Sequence, residues 1–445
     1  MLEALQAKDE LNPVIKTRVE KACALLDESV ELFPNDFKKD IDVAEVLDRY
    51  GETDAPTLEK NGLTFHLAGR IVGWRSFGKV TFFHLADYTG RIQAYAARDD
   101  MGAEPYQLFK KCEVGDIVGV TGTLFRTKTD ELTVQCLEVK LLTKSLRPLP
   151  EKYHGLKDVE IRYRQRYVDL IVTPRTKEIF KRRTRTVNAL RRFLDTRGFM
   201  EVETPMMQAI PGGATAKPFE THHNALDMKL YMRIAPELYL KRLVVGGLEK
   251  VYEINRNFRN EGISTQHNPE FTMLEFYWAY ADFHDLMNLT EEMFAYVAGQ
   301  VTGDTRVPYQ GETIDLTPGK WTRMSFHESL EKIGGVPPEV YTDIEKCTAL
   351  VREKGEKVLK GEKLGKIQAK LFDLLVEPNL IQPHFIYHYP TDISPLSRRN
   401  AENPEITDRF ELFMTGREMA NAFSELNDPV DQRLRFLEQV AEKEA

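Results

Sequence analysis

The sequence predicts a multidomain α+β protein: a small β-barrel toward the N-terminus, then a larger domain built on antiparallel β-sheet flanked by helices. Three observations predict it. With 445 residues the chain exceeds the roughly 250–300 residues at which single cores stop growing. Apolar alternation at period two begins at Leu63, Phe65 and Leu67 and returns in several segments up to about residue 142. Farther on, Phe258-Arg259-Asn260-Glu261-Gly262, Gln266-His267-Asn268-Pro269-Glu270-Phe271 and Glu275-Phe276-Tyr277 read as strand, Gly-containing loop and strand.

Composition narrows the class. Hydrophobic residues at 42% and charged residues at 29% are ordinary for a globular protein and exclude disordered and fibrous classes. No run of about 18 apolar residues occurs, and Met1-Leu2-Glu3-Ala4 lacks a basic region followed by an apolar core, so a cytoplasmic protein with no membrane partner is expected. Cys23, Cys112, Cys136 and Cys347 lie far apart with no C-x-x-C pair, which argues for reduced thiols and against zinc. The net charge of −8 disfavours nucleic acid only on average, because phosphate binding follows local potential. Arg162, Arg164 and Arg166 alternate with Tyr163 and Tyr167, and Lys181, Arg182, Arg183, Arg185, Arg191 and Arg192 follow in one predicted helix. That helix reads equally as a solvated face.

In chain order, residues 1–60 form a polar, helix-prone arm. Residues 61–145 carry strand candidates at 63–73, 78–86, 91–96, 115–126 and 131–142, with a short helix near 103–112. Five strands with a helix at that point is the layout of an OB-fold; a generic small barrel is the alternative. Phe77, Phe82 and Phe83 interleave there with Arg75 and Lys79, and Gln93 lies on the next strand, a combination that can stack on unpaired bases and read their edges. Residues 146–160, opened by Arg147-Pro148-Leu149-Pro150, read as a linker, and 161–445 as the second domain. A long helix is expected from about Thr176 to Arg197, then Gly198-Phe199-Met200-Glu201-Val202-Glu203-Thr204-Pro205 as a strand closed by proline.

The chemistry concentrates in the second domain. Phe271, Met273, Glu275 and Tyr277 fall at spacing two, so a strand points Glu275 and Tyr277 to one side as the wall of a pocket. In Arg409-Phe410-Glu411-Leu412-Phe413-Met414-Thr415-Gly416-Arg417-Glu418, a two-residue loop at Thr415-Gly416 sets Phe413 opposite Glu418 and Glu411 opposite Ala420. Glu411 and Glu418 are then diagonal neighbours on one sheet face, roughly 7–8 Å apart at the backbone. Two carboxylates so placed repel unless a cation lies between them, and their hard oxygens suit magnesium; spacing alone also describes an exposed hairpin with solvated glutamates. Asn421, Phe423 and Glu425 share a face at strand spacing, as does any buried strand with a polar edge.

The strand–loop–strand block resembles motif 2 of the class II aminoacyl-tRNA synthetases, in its details that of the lysyl-tRNA synthetases. The segment 176–205 resembles motif 1, which implies a homodimer. The resemblance implies a ligase that activates L-lysine with ATP and transfers it to tRNA-Lys, with Mg2+ accompanying the ATP. It implies Arg259 on the α-phosphate and substrate carboxylate, a role suited to a guanidinium that forks onto two oxygens. Asn260, Glu261, His267, Asn268, Phe271 and Glu418 match the ATP-contacting set, and Glu411 with Glu418 the metal-binding glutamates. Gly213, Glu237, Arg259, Glu275, Tyr277, Asn421, Phe423 and Glu425 match the lysine pocket, whose carboxylates suit an ammonium. Arg75, Phe82, Gln93 and Glu131 match anticodon-contacting positions. Aspartyl and asparaginyl enzymes share the architecture, but a pocket for an acidic side chain would not converge glutamates on it.

The resemblance departs in two places. Many relatives carry arginine where Gln266 stands, and the family's third motif, a glycine-rich strand and a helix with G-I-D-R, has no counterpart after Asp428. Because its loss would uncover sheet edge and apolar surface, a C-terminal piece beyond the given sequence is expected. The departure also supports an alternative, a non-catalytic synthetase-like protein that binds RNA or lysine. Lysylation of a protein is a third reading, disfavoured by the barrel.

Overall fold

The structure, a computed structural model, describes residues 12–150, 156, 158–214, 216–264 and 266–444, with side chains through residue 437. Residues 1–11 of the expected arm and 151–155 and 157 of the expected linker lie outside the described residues. The chain divides into two compact units, 1–177 and 178–445.

In the first unit β1 (Phe65–Phe77), β2 (Val80–Ala86), β3 (Arg91–Ala97), β4 (Ile117–Arg126) and β5 (Leu132–Thr143) close into a barrel in the order β1-β2-β3-β5-β4. β1 is longer than its apolar alternation suggests because it serves both sides of the seam. Its first half pairs with β4 and its second with β2, and a bulge between Ile71 and Gly73 turns the strand from one partner to the other. Alternation sends Leu67, Ile71, Phe83, Leu85, Val118 and Val134 into the core. Phe83 is 1% exposed, so it is removed from the expected base-stacking trio, while its neighbour Phe82 faces outward. Between β3 and β4 lie two short helices, Arg98–Met101 and Ala103–Phe109, where one was expected.

The described part of the arm is not separate from the barrel. Helix Pro13–Asp27, capped by the Asn12 side chain, buries Val19, Ala22 and Leu25, and the last two join the barrel residues in one hydrophobic cluster. A helix of 15 residues draws most of its stability from such packing. The arginine run after the linker is partly consumed by structure: buried Asp169 accepts from Arg162 at 3.1 Å and from Thr176 at 3.0 Å and pairs with Arg166, while Arg164 pairs with Glu160.

The second unit holds two principal sheets. The first orders β11 (Glu270–Trp278), β10 (Lys250–Phe258) and β6 (Met200–Glu201). The second orders β14 (Thr322–Ser325), β15 (His384–Tyr387), β16 (Arg409–Phe413) and β17 (Glu418–Phe423). Pairing is antiparallel except for β10 with β6 and β14 with β15. A small sheet of β7 (Met207–Gln208), β9 (Met228–Met232) and β8 (Glu220–His223) and a hairpin of β12 (Arg306–Tyr309) and β13 (Glu312–Asp315) complete the strands described. Helix Phe283–Thr302, opened by an Asp282–Asp285 capping box, ties the two sheets together. Its Phe283 and Met287 pack with Phe385, Phe410 and Leu412, and its Leu289 and Met293 with Tyr252.

Candidate active site and nucleic-acid face

The pocket wall is built by the β10–β11 hairpin, whose register sets Glu253 opposite Glu275 and Val251 opposite Tyr277. The Tyr277 hydroxyl donates to Glu275 Oε1 at 2.8 Å. Burial pushes the Glu275 carboxyl up to about 7; the Tyr277 hydrogen bond opposes this, the charge of Glu237 adds to it, and Lys241 and Arg233 oppose it. On the same face of the hairpin, Arg233 and Glu253, each 1% exposed, pair at 2.8 Å, and Thr204 Oγ1 donates to the other Glu253 oxygen at 2.7 Å. This network joins the proline-closed segment after β6 to β10.

Helix Glu237–Val245 supplies the next side. Glu237 is its first residue and Lys241 lies one turn on, with Lys241 Nζ 2.6 Å from Glu237 Oε1 and 2.9 Å from Glu425 Oε2. The same ammonium sits 5.5 Å from the centroid of the Phe423 ring. Burial acts against its charge, but Glu237 and Glu425 outweigh it and raise the Lys241 pKa. Gly213, at φ +90°, presses its backbone against this helix; a Cβ there would lie 3.0 Å from Glu237 Cβ and 3.2 Å from Ala235 Cβ. β17 ends at Phe423, and Glu425 follows in an isolated bridge to Ser397, so the expected shared face extends past the strand proper. Asn421, also on β17, accepts from Arg409 Nε at 3.0 Å.

The second end of the site gathers around Arg259 and the β16–β17 hairpin. Arg259 follows β10 directly, its guanidinium carbon 5.2 Å from the centroid of the Phe271 ring, and its buried Nε has no hydrogen-bond partner. An orphaned buried donor costs about 1–3 kcal/mol, so it marks a place prepared for an acceptor. The loop behind it exposes Asn260, Glu261, His267 and Asn268, shaped by Ser264 Oγ to His267 Nδ1 at 2.9 Å and Asn268 Nδ2 to Glu270 O at 2.8 Å.

The hairpin turns at Thr415 (φ +57°) and Gly416 (φ +66°), with Met414 and Arg417 exchanging backbone hydrogen bonds of 3.0 and 3.2 Å. Phe413 faces Glu418, as the two-residue loop requires. A register shift at Leu412/Phe413 then sets Glu411 opposite Asn421, not Ala420: the strand bearing Glu418 holds one extra residue, Met419, as a bulge. Glu411 and Glu418 still share a face through Phe413. Glu411 accepts from the Tyr389 hydroxyl at 2.8 Å and pairs with Arg409, itself stacked 4.8 Å from the Tyr389 ring centroid. Burial, then the charges of Glu411 and Glu377, raise the Glu418 pKa against the pull of Arg409 and Arg259. Asp373 is likewise lifted to about 6 by burial and Glu411. Such crowded carboxylate oxygens fit a divalent cation that brings further ligands with it, and among the described residues no group of three or more His, Cys, Asp or Glu forms a self-sufficient metal cage.

On the barrel, Arg75 pairs opposite Phe82, and Phe82, Tyr95 and Phe125 run as a strip of rings with centroid spacings of 5.0 and 5.7 Å. Gln93 Nε2 donates to Thr133 Oγ1 at 2.9 Å, and Glu131 stands exposed in the β4–β5 turn. Sequence reasoning missed Tyr95, two residues from Gln93 on the same face, and Lys241, Arg409 and Tyr389 in the second unit. Lys241 at i+4 from Glu237 and Arg409 at i−2 from Glu411 carry a local signal; Tyr389 comes from a distant segment and carries none.

The family model for class II tRNA synthetases (D, K and N) matches residues 158–445, and that for the OB-fold nucleic acid binding domain matches 65–142. A Lysine--tRNA ligase of Pelotomaculum thermopropionicum is 52% identical over 447 aligned residues, spanning 100% of this chain and 87% of the relative. One of Carboxydothermus hydrogenoformans is 52% identical over 97% of this chain and 87% of its own length. One of Thioalkalivibrio sulfidiphilus is 53% identical over 100% of this chain and 89% of its own. With a closed OB-fold barrel, a sheet-based catalytic unit and relatives of this identity along its length, the chain belongs to the class II lysyl-tRNA synthetases, a family of ligases.

Proposed function

We propose that this chain activates L-lysine with ATP and transfers it to the 3′-terminal ribose of tRNA-Lys. The observation that carries the reading is the pairing of two unlike ends: Glu275, Tyr277, Glu237 and Glu425 around a cation-binding pocket, and Arg259 with an unpartnered buried Nε. Lysine needs carboxylates for its ammonium groups and a guanidinium for its carboxylate. In the first step a carboxylate oxygen of lysine attacks the α-phosphorus of ATP, the bond to the β-phosphate oxygen breaks, and pyrophosphate leaves with the electron pair. No side-chain nucleophile is required; positioning and charge neutralisation carry the rate. Arg259 holds the carboxylate and α-phosphate together, and Phe271 offers its ring to adenine. Asn260, Glu261, His267, Asn268 and Glu418 line the nucleotide side, and Asn421 and Phe423 the amino-acid side beside Gly213. Glu411 and Glu418 would hold Mg2+, which neutralises phosphate charge when bound.

In the barrel, Arg75, Phe82, Gln93 and Glu131 read the anticodon by stacking and edge contacts. The functional division runs as arm (1–60), anticodon-binding barrel (61–145), linker (146–160) and catalytic domain (161–445). Exposed Ile179, Phe180, Met200 and Met207 support a homodimer through the helix and strand at 174–208, and free cysteines support a cytoplasmic setting. Among the described residues no helix is long and apolar enough to cross a membrane. Lysine-dependent ATP–pyrophosphate exchange, followed by charging of tRNA-Lys, tests the reading. Exchange without charging would confine it to adenylate formation, and lysine binding without exchange would refute it in favour of a non-catalytic binder.

A further inference from the structure

The pocket contains one charge that an amino-acid site for lysine would not be expected to need. Lys241 places a resident ammonium among the acidic groups, 2.6 Å from Glu237 and 2.9 Å from Glu425. An exposed i,i+4 pair is an ordinary way to decorate a helix. This one differs: the Lys241 side chain is 23% exposed, its second partner comes from a different element beyond β17, and its ammonium lies over the Phe423 ring. Glu275 is bonded instead to the Tyr277 hydroxyl, within reach of the Lys241 charge.

Resting on the reading above, we infer that Lys241 is a specificity-determining positioning residue: it cancels one of three pocket carboxylates, leaving two net negative charges to meet a ligand with two ammonium groups. Glu237, Glu275 and Glu425 together carry three negative charges when ionised. With Lys241 in place, the remainder equals the two ammonium charges of lysine, whose carboxylate is met separately by Arg259. Rejection of neutral and acidic competitors rests with the carboxylates themselves; the resident cation removes the surplus negative charge that lysine could not match and braces Glu237 against Glu425.

A charge cycle tests this on the full chain, read as the KM for lysine in ATP–pyrophosphate exchange with the KM for ATP alongside. Lys241→Met leaves three net charges and Glu425→Gln leaves one, while the double variant returns to two. The expected result is a lysine KM raised about tenfold or more in each single variant, and a KM in the double variant at least about threefold below both, with the ATP KM little changed. Should Lys241→Met alone fail to fold, the comparison of the double variant with Glu425→Gln carries the same sign. A double variant worse than either single, or one that does not fold, overturns the inference, as does a Lys241→Met protein with unaltered KM. Absence of exchange by the unaltered chain would refute the ligase reading instead, and the cycle is then read by calorimetric binding of lysine.

Discussion

Glu275 and Arg259 show how single residues store the site's chemistry before any ligand arrives. Burial raises the Glu275 pKa to about 7, well above its unfolded value, so the folded protein binds the proton more tightly than the unfolded chain. Its contribution to stability is therefore fully present below about pH 4 and is lost as pH rises through about 7. Glu275→Gln, which keeps a partner for Tyr277, is therefore expected to stabilise the ligand-free protein above pH 7 by about 1–3 kcal/mol while abolishing lysine-dependent exchange. Denaturant melts at pH 5 and 8 check it, with the gain confined to pH 8. Since an ammonium needs the ionised carboxylate, the lysine KM of the unaltered protein should fall as pH rises from 6 to 8. Arg259→Lys keeps the charge but loses the fork; kcat for exchange is expected to drop by about 10²–10³ with the fold retained.

At the scale of elements, geometry rests on a few contacts that cannot be traded for others. Gly213 holds a left-handed φ against helix Glu237–Val245, so Gly213→Ala both strains the backbone and drives a methyl into Glu237 Cβ at 3.0 Å. The expected outcome is a loss of about 1–2 kcal/mol in stability with a raised lysine KM, measured by thermal melts and exchange kinetics. The buried Arg233–Glu253 pair clamps β10 to the segment bearing Thr204. Arg233→Met leaves Glu253 charged and unpaired and is expected to cost about 3–5 kcal/mol, and pairing it with Glu253→Leu should recover much of that loss. A double variant no more stable than Arg233→Met would sink this account of the clamp.

For the whole molecule, the proposed function assigns separable tasks to the two units. Phe82 and Gln93 stand on the outer face of the barrel, whereas the pocket and hairpin belong entirely to the second unit. Phe82→Ala is expected to lower kcat/KM for charging of tRNA-Lys by about tenfold or more, in keeping with about 1–3 kcal/mol per stacked base. Lysine-dependent exchange, which involves no tRNA, should continue. An equal loss in both assays would show that the barrel face acts through folding.

Local chemistry made much of this legible from sequence. Alternation identified the barrel strands and the shared side of Glu275 and Tyr277, and Thr415-Gly416 specified a two-residue turn, because strand period and turn geometry are properties of neighbouring residues. The tertiary structure decided what depends on pairing and packing. Met419 bulges and resets Glu411 against Asn421, Phe83 turns inward, and the helix after Asn12 joins the barrel core. Lys241 meets Glu425 across a separation of 184 positions in the chain, and Tyr389 reaches Glu411 from the segment that follows β15. Such encounters carry no local signature, since they arise only when separate elements are brought together by burying their apolar faces.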